Sequence, residues 1–458
     1  MTSSKSGDST NEKATDGYKR YVVFLCLLAY VFSYVDRQIL ALLVGPVKAD
    51  LNLTDTQFSL LHGLAFSLMY AFMGIPIARL SDRHSRPLII AIGISVWSFA
   101  TAACGISKNF WQLFVARMTV GVGEAALSPA AYSMFADLFP ISKLGRVVGI
   151  YSTGAFVGAG LAFIIGGLVI DLVQGMSAPT LPLIGTVRAW QMVFFIVGIP
   201  GLLLALLMFL TVKEPQRKDL LVHTSVDVDR TSLRETLRFI FKHKETFLCH
   251  FLGFSFYAMA LFAYLSWLPA FYTRNYALDA TQTGYYLGVV VLLANTSGVY
   301  MGGYLTDYLH RKGNNDASMY AGAIGAALAA VFGAWFALVG NLWQSLVLIV
   351  PTMFFLSFPM PTSTAAMQVL APNQMRAQVA AIFLFVSNLI GLGGGATLVA
   401  LLTDRVFQNE KHVGYSVAIV VTAAGLLAAL LLHFGRSYFN ASLKEEVQYR
   451  TGKQSLPT

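Results

Sequence analysis

Long apolar stretches recur along nearly the whole chain, and short polar breaks separate them. About twelve of these stretches approach the ~20 residues that cross a ~30 Å hydrocarbon core as a helix. Because 56% of the residues are hydrophobic and only 12% are charged, the chain lacks the polar surface needed to cover a soluble globule of 458 residues. The sequence therefore predicts an all-α membrane protein with about twelve transmembrane helices. We place them near residues 21–45, 56–80, 87–107, 110–138, 145–172, 189–212, 246–272, 282–306, 318–340, 343–370, 377–403 and 414–436.

The distribution of basic residues predicts the orientation of these helices. Most of the 32 Lys and Arg residues fall in the N-terminal segment, in the loops after even-numbered stretches, or in the C-terminal segment. By the positive-inside rule both termini are expected in the cytoplasm, so the net charge of +9 reflects membrane topology and does not indicate a nucleic-acid partner. The polar segment 1–20 has no apolar core before a cleavage site, and we expect a retained, disordered cytoplasmic tail. A second cytoplasmic tail is expected over 438–458.

Sequence signals of enzymes and metal proteins are missing. The sequence has no nucleotide-binding loop, no nucleophile–base set and no metal-ligand spacing. Cys26, Cys104 and Cys249 lie apart, within or at the ends of apolar stretches, and predict no disulfide framework. We therefore expect neither catalysis nor a metal or cofactor.

Two internal repeats divide the chain. The loop "ARLSDRHSR" (78–86) after the second stretch returns as "GYLTDYLHR" (303–311) after the eighth, with the same Asp-to-Arg spacing. In addition, "FPISKLGR" before the Gly-rich fifth stretch is echoed by "APNQMR" before the Gly-rich eleventh. These repeats predict two six-helix halves, 21–212 and 246–437.

The linker between the halves, 213–245, contains the segment "SLRETLRFIFKHK". Leu233, Leu237 and Ile240 recur there at helical spacing, with basic residues on the other face. This pattern suits an amphipathic helix that lies on the cytoplasmic leaflet, its basic side attracted to anionic headgroups. A solvated linker with some helix fits the pattern equally well.

Four charged residues lie inside predicted membrane spans: Asp36, Arg37, Arg117 and Glu124. On insertion scales an ionised side chain at the centre of a membrane helix costs about 2.5–3.5 kcal/mol, so these groups are expected to face protein or water. Arg117 and Glu124 are seven residues apart and project from one face of the fourth helix. Asp36 lies about as deep as Arg117 and can meet it if the first and fourth helices are neighbours. The spans of the second half offer no counterpart to these four charges.

Over essentially the whole membrane region, the sequence resembles the major facilitator superfamily of transporters. Asp82, Arg83 and Arg86 match the family's loop signature between the second and third helices, and the second copy of the loop keeps Asp307 and Arg311. The resemblance implies the family's fold, in which two six-helix halves surround a central cavity and the first and fourth helices both line it.

The fourth helix narrows the resemblance to a branch of the family. The stretch "RMTVGVGEAALSPAAYSMFADLFP", followed by Arg146, resembles the fourth helix of the organic anion and Spinster branches. Glu124, together with "DRQIL" in the first helix, points to a bacterial Spinster-like lysolipid transporter.

We expect Asp36 and Glu124 to be the proton-coupling residues. Burial favours the neutral form of a carboxyl group and a nearby guanidinium favours its charged form, so a small movement can make it bind or release a proton. Arg37 and Arg117 supply planar donor forks suited to a substrate phosphate or carboxylate. The alternative is a permanent ion pair between Asp36 and Arg117 that fixes helix packing.

Two further groups of residues are candidates for the transport cycle. Charges in or beside the cytoplasmic loops are expected to hold the cytoplasmic side of the transporter closed in the outward-open state. The alternative is that these charges only determine the orientation of the helices in the membrane. These gating candidates are Asp82, Arg86, Arg146, Asp307 and Arg311. The candidates for the cavity wall, whose residue types are more often packing residues, are Tyr34, His62, Tyr264, Trp267 and Phe358.

The function expected from these features is proton-coupled secondary active transport of an amphipathic anionic lipid, such as a lysophospholipid or sphingosine-1-phosphate, by alternating access. The protein is expected to be a monomer in the bacterial inner membrane, with protons and membrane lipids as its further partners. The proton gradient would supply the energy without a cofactor. Three alternatives stay open: a symporter of small organic anions such as sugar acids, a multidrug/proton antiporter, and an uncoupled lipid scramblase.

Overall fold

The computed structural model describes residues 15–176, 180–181, 185–217, 233–359, 363–372 and 375–450, which are mostly helical. The first half contains α1 (Asp16–Leu42), α2 (Val44–Leu51), α3 (Asp55–Ser59), α4 (Ala65–Arg83), α5 (Arg86–Cys104), α6 (Phe110–Glu124), α7 (Leu127–Leu138), α8 (Ile141–Gln174) and α9 (Ala189–Thr211). The linker carries α10 (Leu233–Lys242). The second half contains α11 (Lys244–Asn275), α12 (Ala280–Arg311), α13 (Ala317–Gly333), α14 (Leu342–Ser357), α15 (Ser363–Leu370), α16 (Arg376–Ser387), α17 (Gly394–Leu401) and α18 (Val413–Arg450).

Short irregular elements complete this architecture. Single π-helical turns adjoin the helices at Leu60–Leu64, Asn388–Gly393 and Leu402–Phe407, and Glu410–His412 forms a 3₁₀ turn. Two-residue strands β1 (Thr180–Leu181) and β2 (Gly185–Thr186) pair antiparallel. In the described part of the chain this small hairpin is the one departure from the all-α expectation.

Nine helical stretches within the described residues are long and apolar enough to cross a membrane. They are Asp16–Leu42, Asp55–Ser81, Arg86–Cys104, Lys143–Gln174, Ala189–Thr211, Lys244–Asn275, Ala280–Arg311, Gln378–Phe407 and Glu410–Gln448. The apolar helices α13 and α14 are shorter, with 17 and 16 residues. The predicted bundle of membrane helices is thus confirmed, whereas the count of twelve spans stays a prediction.

The predicted fourth span, 110–138, is two helices rather than one. The helical pattern is interrupted at Ala125 and Ala126, between α6 and α7. Pro129 explains the break, because it lacks the N–H that would bond the Ala125 carbonyl and its ring crowds that carbonyl. Glu124 therefore lies at the end of α6, next to the break.

Residues 16–20 of the expected disordered tail, 1–20, are helical. Residues 1–14 lie outside the described part of the chain, but α1 begins at Asp16. The Thr15 side chain accepts a hydrogen bond from the Tyr18 N–H, and Asp16 places a negative charge in the first turn, so both stabilise the helix start. The Tyr18 hydroxyl also bonds the Thr211 carbonyl at 3.4 Å, which fixes this start against the end of α9.

These contacts define the two faces of the bundle. The linker face carries the start of α1, the end of α9 and the start of α11, where His243 contacts Glu446 of α18 at 3.1 Å. The opposite face carries the connection from α2 to α3 and the end of α11. Both described chain ends therefore lie at the linker face.

The two halves pack closely where α8 meets α12. Gly160 lies against the backbone of Leu292, and Gly167 lies against Gly284. In a bilayer, helices associate by close packing of small residues, because lipid is as apolar as the side chains. This contact agrees with a structural role for the glycines of the fifth predicted span.

We expect Gly160→Ala to destabilise the protein, by roughly 1–3 kcal/mol, because the added methyl group would come within 2.8 Å of the Leu292 Cα and force the helices apart. Thermal unfolding in detergent measures the effect. Gly149→Ala is the matched control, since a methyl group at Gly149 in the same helix meets no atom within 4 Å. Equal unfolding temperatures for the two variants would contradict the prediction.

Candidate functional site

A buried ion pair joins the first and fourth predicted spans. Arg37 Nη2 of α1 donates to Glu124 Oε2 of α6 at 2.6 Å, and Ser33 Oγ donates to the same oxygen at 3.0 Å. Ser33 and Arg37 are four residues apart, so one face of α1 presents both to Glu124. The first and fourth predicted spans are therefore neighbours, as predicted. Glu124 is paired with Arg37 of the other span rather than with Arg117 of its own helix.

Aromatic rings surround the Arg37 guanidinium. Its central carbon lies 4.2 Å from the ring centre of Phe66, 4.6 Å from that of Tyr34 and 5.4 Å from that of Tyr70. The negative ring faces attract a cation, most strongly where water is excluded. The rings thus allow a buried guanidinium to exist with a single carboxylate partner.

Asp36 and Arg117 meet through a different atom than expected. Arg117 Nη1 donates to the backbone carbonyl of Asp36 at 3.2 Å, not to its carboxylate. Adjacent positions on a helix point about 100° apart. Because Arg37 is turned toward Glu124, the Asp36 carboxyl is turned toward α5, where Thr101 lies beside it. The permanent Asp36–Arg117 ion pair is therefore not formed in this conformation.

Asp36, Arg37, Arg117 and Glu124 together form what we call the charged site. Several of its polar atoms are buried without a hydrogen-bond partner among the described residues. They are Asp36 Oδ1, Arg37 Nε, Arg117 Nε, Arg117 Nη2 and Glu124 Oε1. An unsatisfied buried polar atom costs about 1–3 kcal/mol, and more when it carries charge. The site therefore has unused donors for an anion and unused carboxyl oxygens that can take a proton.

The cavity-wall candidates divide into two groups. Tyr34 and His62 adjoin the charged site: Tyr34 stacks on Arg37, and His62 Nδ1 lies 3.2 Å from Ser266 Oγ of the other half. Of the other three, Tyr264 and Phe358 pack within the second half, whereas the Trp267 ring also packs edge-on against Phe58 of the first half, with ring centres 6.1 Å apart. Tyr264 donates to the Gly333 carbonyl, Trp267 donates to the Ala396 carbonyl, and Phe358 packs on Phe354 and Phe355.

Arg86 is the gating candidate with the most contacts. Its side chain is 2% exposed and bonds Asp137 at 2.5 Å, Glu214 at 2.8 Å and Ser133 at 2.9 Å. This network joins the start of α5, the end of α7 and the chain after α9 at the linker face. A buried arginine held by two carboxylates has a structural role there beyond setting topology.

The remaining gating candidates are less constrained. Arg146, Asp307 and Arg311 are exposed, and none has an ion-pair partner within 4.0 Å among the described side chains. Asp82 lies within α4, but its side chain is outside the described part of the structure. The expectation that these four residues help to hold the cytoplasmic side shut stays a prediction.

An ion cluster at the opposite face was not anticipated from the sequence. Arg274 of α11 makes two bonds of 2.7 Å to Asp55 of α3, whose side chain is fully buried. Lys48 also bonds Asp55, and it contacts Glu410 at 2.7 Å. Lys48 and Asp55 belong to the first half and Arg274 and Glu410 to the second, so the cluster ties the halves together at this face.

Other polar contacts extend the closure of the opposite face. Asp404 accepts hydrogen bonds from Thr56 N at 2.7 Å and from Thr56 Oγ1 at 2.6 Å. Deeper in the bundle, Gln38 Nε2 donates to the Leu265 carbonyl at 2.8 Å. In the sequence, the residues of this cluster are charges at the ends of the predicted spans. The positive-inside rule already accounted for such charges, so they did not indicate an ion cluster.

Comparison with known proteins identifies the family. Residues 26–396 match the sequence model of the Major Facilitator Superfamily. The chain belongs to the Major Facilitator Superfamily. Its members are transporters, so the expectation of a transporter rather than an enzyme is confirmed.

The relatives of this chain come from two branches of the superfamily, sugar-acid transporters and Spinster proteins. A probable L-galactonate transporter of Escherichia coli is 25% identical over 90% of this chain and 88% of its own length. Protein spinster homolog 1 of Xenopus tropicalis is 26% identical over 86% of this chain and 75% of its own length. The predicted resemblance to Spinster-like transporters is thus confirmed.

A solved structure confirms the superfamily fold. The crystal structure of a bacterial homolog to the human lysosomal transporter Spinster, in an inward-facing and unoccupied conformation, aligns with a TM-score of 0.76. It is 22% identical, and the alignment covers 94% of this chain and 98% of the homolog.

Proposed function

We propose that this protein is a proton-coupled transporter of an amphipathic anionic lipid of the lysophospholipid type, working by alternating access. The observation that carries the proposal is the buried site of Asp36, Arg37, Arg117 and Glu124, which has both titratable carboxyl groups and guanidinium donors left unpartnered. Intramembrane ionisable groups of this kind are costly and mark substrate or proton pathways.

The geometry suggests how proton and substrate are coupled. In the deprotonated state Glu124 occupies the Arg37 fork through the 2.6 Å bond. Protonation of Glu124 removes the charge that holds Arg37, and the guanidinium becomes available to an anionic headgroup. An anion on Arg37 and a charged Glu124 therefore compete for one partner, which links the binding of the two ligands.

The two halves suit the two ends of an amphipathic lipid. The four charges lie in the first half, and the second half contributes large apolar side chains such as Trp267, whose ring packs against Phe58 of the first half. His62 and Ser266 mark the boundary between them. A charged headgroup on the first half would leave the acyl chain against the second.

The opposite-face cluster supports alternating access. If the positive-inside rule holds, the linker face is cytoplasmic and the opposite face is outside. The bonds from Arg274 to Asp55 and from Lys48 to Glu410 then close the outer side, as an inward-facing state requires. Opening the outer side must break these inter-half bonds.

A symporter of sugar acids is the second candidate. The L-galactonate transporter and a hexuronate transporter of Bacillus subtilis, 24% identical over 84% of this chain, are both relatives. An arginine fork binds a carboxylate as well as a phosphate. The length of the apolar part of the substrate distinguishes the two candidates.

Uptake of a labelled lysophospholipid into liposomes containing the purified protein tests the proposal. We expect a pH gradient across the liposome membrane to accelerate uptake, to a rate at least several-fold above that of protein-free liposomes. We also expect long-chain lysolipids to compete with the labelled lipid, and galactonate not to compete. Competition by galactonate alone would favour the sugar-acid symporter. Lipid movement that is indifferent to the gradient would instead indicate an uncoupled scramblase.

A further inference from the structure

The linker helix α10 has one face fixed to the second half of the bundle. Thr236 Oγ1 donates to Gln378 Oε1 of the eleventh span at 2.7 Å, and the Phe239 ring packs edge-on against Phe247, with centres 5.7 Å apart. At its end, Lys242 contacts Glu445 of α18 at 2.8 Å, and this hydrogen bond raises the pKa of Lys242. The helix is therefore held on the bundle at the linker face.

A second face of α10 is apolar and exposed. Leu233, Leu237 and Phe241 recur every four residues and are 57%, 38% and 70% exposed. Leu248, in the second turn of α11, is also apolar and exposed, at 59%. Such a stripe is unfavourable in water but suits the boundary between headgroups and acyl chains.

A third face carries two arginines. Arg234 and Arg238 are exposed and four residues apart, so they lie on one side of the helix. Each follows an apolar-stripe residue by one position, which places the arginines about 100° around the helix from the stripe. This arrangement puts the guanidinium groups at headgroup level when the stripe faces the acyl chains.

We propose that α10 binds anionic phospholipids of the leaflet at the linker face, with the lipid phosphate held by Arg234 and Arg238 and the acyl chains against Leu233, Leu237 and Phe241. Charge complementarity supports this occupant, because guanidinium forks bind phosphate strongly. Each arginine near an anionic surface is expected to raise lipid affinity about fivefold. Since α10 is bonded to Gln378 and Glu445, bound lipid would fix the linker-face ends of two spans of the second half.

Hydrogen–deuterium exchange of the full-length protein in nanodiscs tests this site without any transport measurement. Short-chain phosphatidylglycerol is titrated onto protein in phosphatidylcholine nanodiscs, and exchange is followed in the peptide that contains residues 233–242. We expect slower exchange as the anionic lipid is added. The double variant Arg234→Gln/Arg238→Gln is expected to raise the apparent Kd on the order of twentyfold.

The controls separate lipid binding from loss of structure. Lys444→Gln removes an exposed cation at the same face but outside α10, and it is expected to leave the Kd unchanged. Unaltered exchange in α11 shows that the double variant is still folded. The proposal is wrong if phosphatidylglycerol has no effect on α10 in the wild type, or if the double variant binds as tightly as Lys444→Gln.

Discussion

Glu124→Gln is expected to remove the whole gradient-dependent part of lysolipid uptake while leaving the protein folded. The amide oxygen can still accept the hydrogen bonds that Ser33 and Arg37 donate to Glu124 at 3.0 and 2.6 Å. The amide cannot take up or release a proton, however, so it cannot alternate between holding and releasing Arg37. Uptake into proteoliposomes with and without a pH gradient measures the loss.

The matched control for this variant is Glu245→Gln, which alters an exposed glutamate at the start of α11. Uptake by the control should respond to the gradient as the wild type does. If Glu124→Gln kept its gradient response, proton coupling would have to lie elsewhere. Asp36 would then be the first alternative, because its carboxyl oxygen Oδ1 is buried and unpartnered among the described residues.

Asp55→Asn is expected to shift the transporter toward a state that is open at the opposite face. The Asp55 carboxylate is fully buried and holds both Lys48 and Arg274. Removing one partner of a buried ion pair costs about 3–5 kcal/mol. The closed state would lose this amount relative to the open state, where Asp55 has fewer partners. The ratio of open to closed molecules would rise on the order of 10²–10³, since about 1.4 kcal/mol corresponds to a factor of ten.

Spin labels on Lys108→Cys and Lys411→Cys, in a Cys249→Ser background, report the separation of the halves at this face. Longer distances are expected for Asp55→Asn. Asp171→Asn, an exposed carboxylate in α8, serves as the control and should match the wild type. Glu410→Gln should have a smaller effect because its side chain is 61% exposed. Unchanged distances in Asp55→Asn would show that the cluster does not control opening.

Much of the fold was predictable because membrane helices obey strong local rules. Apolar length and the repeat of the Asp82 and Asp307 loops indicated the spans and the two halves. The break between α6 and α7 also had a signal, since Pro129 lies inside the predicted fourth span. The start of α1 was missed because capping by Thr15 outweighs the low hydropathy of the residues that follow.

The pairing within the charged site was less predictable. The cost of burying charge correctly singled out Asp36, Arg37, Arg117 and Glu124 as groups that must face protein or water. Which partner each one takes depends on how α1 is rotated about its axis, and spacing along one helix does not determine that rotation. For this reason Arg37, rather than Arg117, turned out to bond Glu124.

The opposite-face cluster could not have been derived from spacing at all. Lys48 and Glu410 are 362 positions apart in sequence, and their contact depends on how the two halves dock. Charges at span ends are common in every membrane protein, so their types alone carry no information about partners.

The composition of that cluster affects how the transporter responds to membrane voltage. Each half contributes one cation and one anion: Lys48 with Asp55, and Arg274 with Glu410, which lie 3.4 Å apart. When the halves separate, each half can keep a neutral pair of its own. Opening this face then carries no net charge from the cluster through the transmembrane field, which does about 2.3 kcal/mol of work per elementary charge at 100 mV. Any voltage dependence of transport would have to come from charges other than this cluster, such as the proton, the charged substrate and the buried site of Asp36, Arg37, Arg117 and Glu124.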